Sequence, residues 1–288
     1  MLEQRKPIAA LGLLKLMRPR QWIKNAFVLA PVVFAREFTD PVAVANALIA
    51  FVLFCVASSA GYILNDIHDI ERDRSHPSKR HSRPLAAGTV SMRPAIGLLI
   101  ACYCVLLVGF FWSSATMLAI LVYVALNVAY TYVLKHQPVL DIFSIAAGFV
   151  LRVYAGALAL PVPLSSWMAI TTLCLALYLA AIKRRQELAN SGTESREVLR
   201  MYSVKLIDRY AEMSATGALI FYSLFVISAN QKLVATIPLV IFGLYRYWYV
   251  VEHLEGGESP TDAVLSDRPL AIAIVIWIGI CVVALLPS

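Results

Sequence analysis

Long uncharged stretches dominate this sequence and leave few folds open to it. One of them runs from residue 41 to residue 64 without a charged side chain. About 20 apolar residues in an α-helix cross a hydrocarbon core, where the backbone must satisfy its hydrogen bonds within the element. The chain is 60% hydrophobic and 15% charged, whereas about 25% of the residues of a soluble domain are charged. The sequence therefore predicts an all-α, polytopic membrane protein.

Charges and helix breakers divide the chain into nine candidate membrane spans. We expect a single catalytic domain over 1–288, with an amphipathic cytoplasmic segment at 1–21 and cytoplasmic active-site loops at 65–91 and 183–210. All five cysteines fall in the apolar stretches, which favours small core residues over a metal or redox site. The predicted spans are about 22–36, 42–64, 92–112, 115–134, 139–160, 163–182, 211–230, 233–251 and 269–286.

The basic residues indicate an orientation. Of the 25 lysines and arginines, only Arg36 and Lys232 fall on one predicted face, and Arg152 lies within a span. The positive-inside rule then places the N-terminus and the long loops in the cytoplasm. Among the 18 carboxylates, only Glu37 and Asp40 fall on the opposite face. The excess of both signs on one side favours a water-accessible site that opens to the cytoplasm of a cytoplasmic membrane.

Three aspartates at the end of the second span carry the strongest chemical signal. Asp66, Asp69 and Asp73 are spaced i, i+3, i+7, so a helix that continues past Leu64 would stack them on one face beside Asn65. Like charges at this spacing repel unless a cation compensates them. Oxygen ligands select hard cations, and Mg²⁺ typically takes one or two carboxylates together with substrate phosphates. We therefore predict Mg²⁺ at these three residues.

The same stretch, NDIHDIERD, resembles the first aspartate-rich motif of the UbiA prenyltransferase superfamily. The resemblance covers nearly the whole chain. It implies nine transmembrane helices around a central cavity, with two polar motifs on cytoplasmic loops. In typical members, the first motif binds a prenyl diphosphate through magnesium.

The second motif departs from that pattern. Typical members carry a second aspartate-rich motif after the sixth span, where this chain has YLAAIKRRQEL, with Tyr178, Lys183, Arg184 and Glu187. This stretch, with RPRQWIKN at 18–25, the fifth span and SDRPL at 266–270, resembles the decaprenyl-phosphate phosphoribosyltransferase branch. The resemblance implies transfer of 5-phosphoribose from phosphoribosyl pyrophosphate to a polyprenyl phosphate. The added lysine and arginine suit substrates that carry more phosphate groups.

Further side chains are expected at the substrate site. We interpret Arg18, Arg20 and Trp22 as interfacial anchors, and Arg152 as facing a cavity because an arginine within the membrane costs about 2.5–3.5 kcal/mol. Asp267, just before the last span, has two equally good interpretations: a residue of the substrate site or a helix N-cap. The remaining predicted substrate contacts are Lys24, Asn25, Asn65, Lys79, Arg80, Arg83, Asp141, Tyr202, Asp208 and Arg268.

The resemblance thus implies a membrane phosphoribosyltransferase whose apolar lumen holds the polyprenyl tail. The lipid phosphate is already anionic, so no strong general base is needed. Two alternatives stay open: a prenyltransferase that uses a prenyl diphosphate and a small aromatic acceptor, and a transporter with the acids as ion sites. Two of the outer turns, WSSAT at 112–116 and LPVPLSS at 160–166, are uncharged, which argues against a transporter. No nucleic-acid partner is expected.

Overall fold

A computed structural model of the chain describes residues 9–75, 79–191, 197–253 and 266–286. Within these ranges all the regular structure is helical, which confirms the all-α prediction. The α-helices, in chain order, are α1 Ala9–Met17, α2 Ala30–Phe34, α3 Pro41–His68, α4 Ile70–Ser75, α5 Lys79–Ser82, α6 Met92–Gly109, α7 Ser114–Tyr132, α8 Leu140–Ala159, α9 Ser166–Ser191, α10 Val204–Ala229, α11 Ile237–His253 and α12 Arg268–Leu285.

Eight helical segments among the described residues are long and apolar enough to cross a membrane, namely α3, α6 to α10, α11 with the 3₁₀ turn before it, and α12. The prediction of nine spans is therefore not confirmed in its count. The first predicted span, 22–36, is instead a 3₁₀ helix over Pro19–Leu29 followed by the short helix α2. The expected loops are also partly helical, since α3 includes residues 65–68 and α9 runs to Ser191.

The first span nevertheless belongs to the core of the bundle. At about 2.0 Å of rise per 3₁₀ residue and 1.5 Å per α residue, Pro19–Phe34 extends about 30 Å, close to the thickness of a hydrocarbon core. Its Val28 is fully buried. A Cβ at Gly156 would lie 2.0 Å from the carbonyl oxygen of Val28, so only glycine lets α8 approach this segment so closely.

Small residues allow the central helices to pack tightly. In α3 the buried positions include Ala47, Ala50, Ala57 and Ala60, and α8 packs against α7, α9 and the 3₁₀ segment. Small side chains at helix interfaces let backbones approach one another, which membrane bundles use because lipid supplies no hydrophobic drive between helices. The ends of α3, α7, α8 and α9 bring the predicted polar motifs into two clusters.

Candidate active site

The first cluster surrounds Asp66, in the last turn of α3. The carboxylate of Asp66 is buried, and its Oδ1 accepts hydrogen bonds from the guanidinium groups of both Arg18 and Arg83. The Arg83 bond is 2.8 Å long. The other oxygen, Oδ2, is buried and has no hydrogen-bond partner among the described residues. A buried carboxylate oxygen without a hydrogen-bond partner lowers the stability of the fold. The cluster is therefore suited to bind a further cationic or hydrogen-bonding group.

Arg18 reaches Asp66 through an unusual backbone conformation. It has φ 55° and ψ 62°, in the left-handed region, and it precedes the 3₁₀ helix. The Trp22 indole donates to the Ser59 hydroxyl at 3.1 Å, and that hydroxyl lies within hydrogen-bond distance of two carbonyls, those of Cys55 at 2.8 Å and Met17 at 3.1 Å. These bonds fasten the turn to α3. We interpreted Trp22 and Arg18 as interfacial anchors. In the structure Trp22 also contacts α3, and Arg18 forms an ion pair with Asp66.

Asp69 is held by a lysine that sequence reasoning did not select. Lys135, buried in the turn after α7, donates from Nζ to both Asp69 oxygens at 2.8 and 2.9 Å. Burial alone would raise the pKa of Asp69, but the hydrogen bonds and charges of Lys135 and His68 outweigh it and lower the pKa below its ordinary value. Asp69 is thus an anion with a fixed orientation.

The three aspartates do not form a closed metal cage. α3 ends at His68, Asp69 lies in the turn, and Asp73 is buried in α4. In the described part of the chain, no group of three or more His, Cys, Asp or Glu side chains is placed to hold a metal by itself. The three-aspartate metal site therefore stays a prediction, with the partnerless oxygen of Asp66 as the position that suits a cation best.

The second cluster is built around Arg184 of α9. Its guanidinium is fully buried, and its Nε donates to Asp141 Oδ2 at 2.7 Å. Nη1 donates to Glu187 Oε2, and Nη2 donates to the Tyr130 hydroxyl at 3.0 Å. Two carboxylates and a phenol from α7, α8 and α9 therefore share one guanidinium. This pairing satisfies the buried charges and ties the three helices together.

Tyr202 extends this cluster to the start of α8. Its hydroxyl donates to Asp141 Oδ1 at 2.7 Å and accepts from the Val139 backbone N–H at 2.6 Å. Burial is the main cause that raises the pKa of Tyr202 above its ordinary value, so the phenol stays neutral. Val139 has φ 68°, a conformation that costs a β-branched residue of order 1–3 kcal/mol. Tyr202 helps to hold that strained turn.

A third buried group, around Arg152, contains no carboxylate in the described residues. Arg152 donates from Nε to Asn25 Oδ1 at 2.8 Å, from Nη1 to the Gly148 carbonyl at 2.8 Å and from Nη2 to the Tyr123 hydroxyl at 3.0 Å. Its guanidinium also lies about 5 Å from the rings of Phe54, Tyr123 and Phe149. Arg152 is 5% exposed, so it is enclosed by its partners.

The remaining predicted contacts are distributed over several places. Tyr178 is buried, and its hydroxyl donates to the Leu244 carbonyl of α11. Lys183 is partly exposed, with Nζ 3.9 Å from Glu187 Oε1. Asp208 pairs with Arg185 at 2.7 Å, which joins α9 to α10. The others are Lys24 and Asn65, both half-buried, Arg80, which is exposed and donates to His81, Arg268, which is exposed at the start of α12, and Lys79, whose side chain lies outside the described residues.

One structural prediction made from the sequence alone is confirmed. Asp267 caps α12, because its Oδ1 accepts from the Leu270 N–H at 2.8 Å. It also pairs with Arg246 of α11 at 2.8 Å. The hydrogen bond from Arg246 lowers the pKa of Asp267 below its ordinary value.

Sequence reasoning missed Arg18 and Lys135 as members of the site. Nothing in RPRQWIKN distinguishes Arg18 from Arg20, because only the left-handed turn directs the first of them to Asp66. Lys135 had a usable signal, since it follows an apolar span that is otherwise without charge. A lone lysine at such a position needs an anionic partner.

Comparisons with known proteins agree with the fold. The sequence model of the UbiA prenyltransferase family matches residues 26–266. A decaprenyl-phosphate phosphoribosyltransferase of Mycolicibacterium smegmatis is 36% identical, over 93% of this chain and 90% of its own. One from Mycobacterium tuberculosis is 33% identical, over 93% and 92%. The fold resembles a UbiA homologue from Archaeoglobus fulgidus solved with GPP and Mg²⁺, with a TM-score of 0.75 and 19% identity over 95% of this chain and 99% of the other.

Proposed function

Because the chain belongs to the UbiA prenyltransferase family, we propose that it is a membrane enzyme that transfers 5-phosphoribose to a polyprenyl phosphate. Phosphoribosyl pyrophosphate is the proposed donor and pyrophosphate the product. The observation that carries the proposal is the identity of 33–36% to decaprenyl-phosphate phosphoribosyltransferases over almost the full length of both chains. The site supports it, because it offers cations from α9 and from the Asp66 cluster to substrates rich in phosphate.

The residues of the first cluster suit a bound Mg²⁺. Mg²⁺ keeps several waters and takes one or two carboxylates with substrate phosphates, so it does not need a cage of three acids. The partnerless Oδ2 of Asp66 is a suitable ligand, with Asp69 and Asp73 close to it in the chain. When bound there, the ion would neutralise charge on the departing pyrophosphate. A relative of the same fold was solved with GPP and Mg²⁺.

The chain's own residues would then orient the two substrates. Arg18 and Arg83 present guanidinium groups at Asp66, and Lys135 fixes the direction of the Asp69 carboxylate. The lipid phosphate oxygen forms a bond to the anomeric carbon of the ribose as the bond from that carbon to pyrophosphate breaks. The electron pair of the broken bond leaves with pyrophosphate, and no side chain has to remove a proton from the nucleophile.

The second cluster has a different role in this proposal. Arg184 is fully buried and already donates to Asp141, Glu187 and Tyr130, so we assign it to positioning. Lys183, the residue before Arg184 in α9, is about one-third exposed. We therefore assign contact with the phosphate of the donor to Lys183. The site is proposed to face the cytoplasm, in accordance with the distribution of basic residues.

A prenyltransferase is the second candidate, because neighbours of the same fold were solved with the prenyl diphosphates GPP and DMAPP. The two functions differ in the donor. Purified protein is incubated with Mg²⁺, a polyprenyl phosphate and phosphoribosyl pyrophosphate labelled in the ribose. We expect the label to enter the organic phase. Label that stays in the water phase, while a labelled prenyl diphosphate is joined to an aromatic acceptor, would favour the second candidate.

Metal dependence is tested in the same assay. Removal of divalent ions with a chelator is expected to abolish the transfer, and Mg²⁺ is expected to restore it. Binding is measured separately by titrating Mn²⁺ into the protein and following its electron paramagnetic resonance signal. Wild-type protein should bind Mn²⁺ and Asp66→Asn should not. Equal Mn²⁺ binding by both proteins would contradict the assignment to Asp66.

A further inference from the structure

Two arginines approach a single oxygen of Asp66 from different parts of the chain. A guanidinium carries five N–H donors in a planar fork, and one of these on each arginine reaches Asp66 Oδ1. Both side chains are partly exposed, Arg18 at 22% and Arg83 at 26%. Each therefore has surface left for a second anion, unlike the enclosed Arg184.

Arg18 comes from the membrane side of Asp66. Its turn is fastened beside Ser59, seven residues before Asp66 in α3, which is about 10 Å further into the span. The guanidinium extends back toward the helix end and lies 4.6 Å from the centre of the Tyr62 ring, one turn before Asp66. Arg83 reaches Asp66 from beyond the end of α3, because it directly follows α5.

Exposed aliphatic side chains flank Arg18 in the chain. Leu14 in α1 is 48% exposed, and Ile23 in the 3₁₀ segment is 46% exposed. Exposed aliphatic side chains on both sides of an arginine in a membrane protein indicate that it lies at the level where headgroups meet acyl chains. A phosphate carried on a lipid would reach Arg18 without leaving that level.

From this geometry we infer that the two arginines divide the two anionic substrates between them. Arg18 binds the phosphate of the polyprenyl acceptor, and Arg83 binds the pyrophosphate of the donor. This assignment rests on the proposed function and makes it more specific. Asp66 accepts from both guanidinium groups at Oδ1 and holds both in place, so in this assignment the attacking phosphate and the leaving pyrophosphate meet beside one carboxylate.

An arginine at position 18 suits a phosphate ligand better than a lysine would. Arginine donates two parallel hydrogen bonds to a phosphate, whereas lysine offers a point charge. Arg18 must also keep its bond to Asp66, which a planar fork permits. Arg18→Lys should therefore keep the charge of the site and lose part of the affinity for the lipid phosphate.

The test compares Arg18→Ala, Arg18→Lys and Arg83→Ala in steady-state transfer assays. Arg20→Ala is the matched control, since Arg20 is an exposed arginine two residues from Arg18. We expect Arg18→Ala to raise the KM for polyprenyl phosphate about 10-fold or more and to leave the KM for the donor within about 2-fold, with a smaller rise for Arg18→Lys. Arg83→Ala should do the reverse. A rise in donor KM alone, or equal rises for both substrates, in Arg18→Ala would overturn the assignment.

A binding measurement separates this inference from the proposed reaction. Native mass spectrometry records how much short-chain polyprenyl phosphate stays on the protein in the absence of donor, with the matching polyprenol as the phosphate-free control. Wild-type and Arg20→Ala proteins should retain the phosphate, and Arg18→Lys should retain less. Equal retention by wild type and Arg18→Lys, or equal retention of phosphate and polyprenol, contradicts the role of Arg18 whether or not phosphoribose is transferred. Transfer that fails in the wild type, with phosphate retention that depends on Arg18, contradicts the proposed function instead.

Discussion

The Asp66 cluster and the Arg184 cluster use the same chemical groups in opposite ways. Around Asp66, two arginines share one oxygen of a buried carboxylate, both are partly exposed, and the second oxygen has no partner among the described residues. Around Arg184, two carboxylates share one guanidinium, and both Arg184 and Asp141 are fully buried. The first arrangement leaves hydrogen-bonding capacity that a ligand can use. The second uses its capacity within the fold.

From this difference we expect the Asp66 cluster to bind ligands and the Arg184 cluster to stabilise the fold. A buried ion pair is strongly destabilising when one partner is removed, because the other charge is left without compensation. A cluster that has to accept a ligand instead keeps partly satisfied groups, and removing them costs activity more than stability. The comparison therefore predicts different losses for the two clusters.

The largest loss of stability is expected for Arg184→Gln. The substitution leaves the fully buried Asp141 without a cationic partner among the described residues, which should lower the free energy of unfolding by about 3–5 kcal/mol. A thermal melt of the purified protein in detergent measures the loss. Arg200→Gln is the control, since Arg200 is an exposed arginine in the segment between α9 and α10. Equal melting of both variants would remove the distinction between the clusters.

A smaller loss is expected for Arg152→Met. Its hydrogen-bond partners are Asn25, the Gly148 carbonyl and Tyr123, all of them neutral. No carboxylate is left uncompensated, so the expected loss is about 2–3 kcal/mol, from hydrogen bonds worth roughly 1 kcal/mol each. A melt of Arg152→Met below that of Arg184→Gln would show that charge compensation does not decide the stability of these arginines.

Lys135→Met should reduce activity more than stability. Lys135 orients Asp69 by binding both of its oxygens, and loss of a group that orients a metal ligand typically costs about 10–100-fold in activity or metal affinity. Steady-state transfer rates of Lys135→Met and Lys135→Arg measure the effect. The arginine variant should recover part of the loss. Unchanged rates in Lys135→Met would exclude Asp69 from the site.

The smallest effects are expected at Asp267, outside both clusters. Asp267→Asn keeps a capping oxygen and loses the charge, whereas Asp267→Ala also loses the cap, worth about 1 kcal/mol. The pKa of Asp267 is lowered by Arg246 from its ordinary value of 3.8. Its ion pair therefore contributes stability above about pH 4 and loses it as the pH falls through the lowered value. The difference in melting temperature between wild type and Asp267→Asn should disappear at low pH.

The sequence predicted the fold correctly where the determining pattern lies within one stretch of the chain. The apolar run at 42–64 predicted most of α3, and Asp267 before Pro269 predicted the start of α12. The first span was not predicted in its form, because its 3₁₀ conformation depends on partners far along the chain. Arg152 binds Asn25 from α8, and Gly156 lets α8 approach Val28. No pattern within residues 22–36 carries that information.

The site was predicted only at the level of motifs. The motifs of the aspartates and of the basic stretch of α9 led us to predict metal and substrate ligands there, which stays a prediction, and the pairing within each cluster depends on tertiary contacts. Arg184 resembles an exposed member of IKRRQEL in the sequence, yet it is the buried one, while Arg185 pairs with Asp208. Helical periodicity alone cannot assign neighbouring basic residues to these partners, because α9 has polar neighbours on more than one side.

The central claim is that the Asp66 cluster exists for the substrates and not for the fold. The most direct test is the rate of phosphoribose transfer to polyprenyl phosphate by Asp66→Asn, measured on protein whose melting temperature is recorded in parallel. We expect a rate at least about 1,000-fold lower, equivalent to about 4 kcal/mol, with a fall in melting temperature smaller than that of Arg184→Gln. A rate close to that of the wild type, or a loss of rate explained by unfolding, would contradict it.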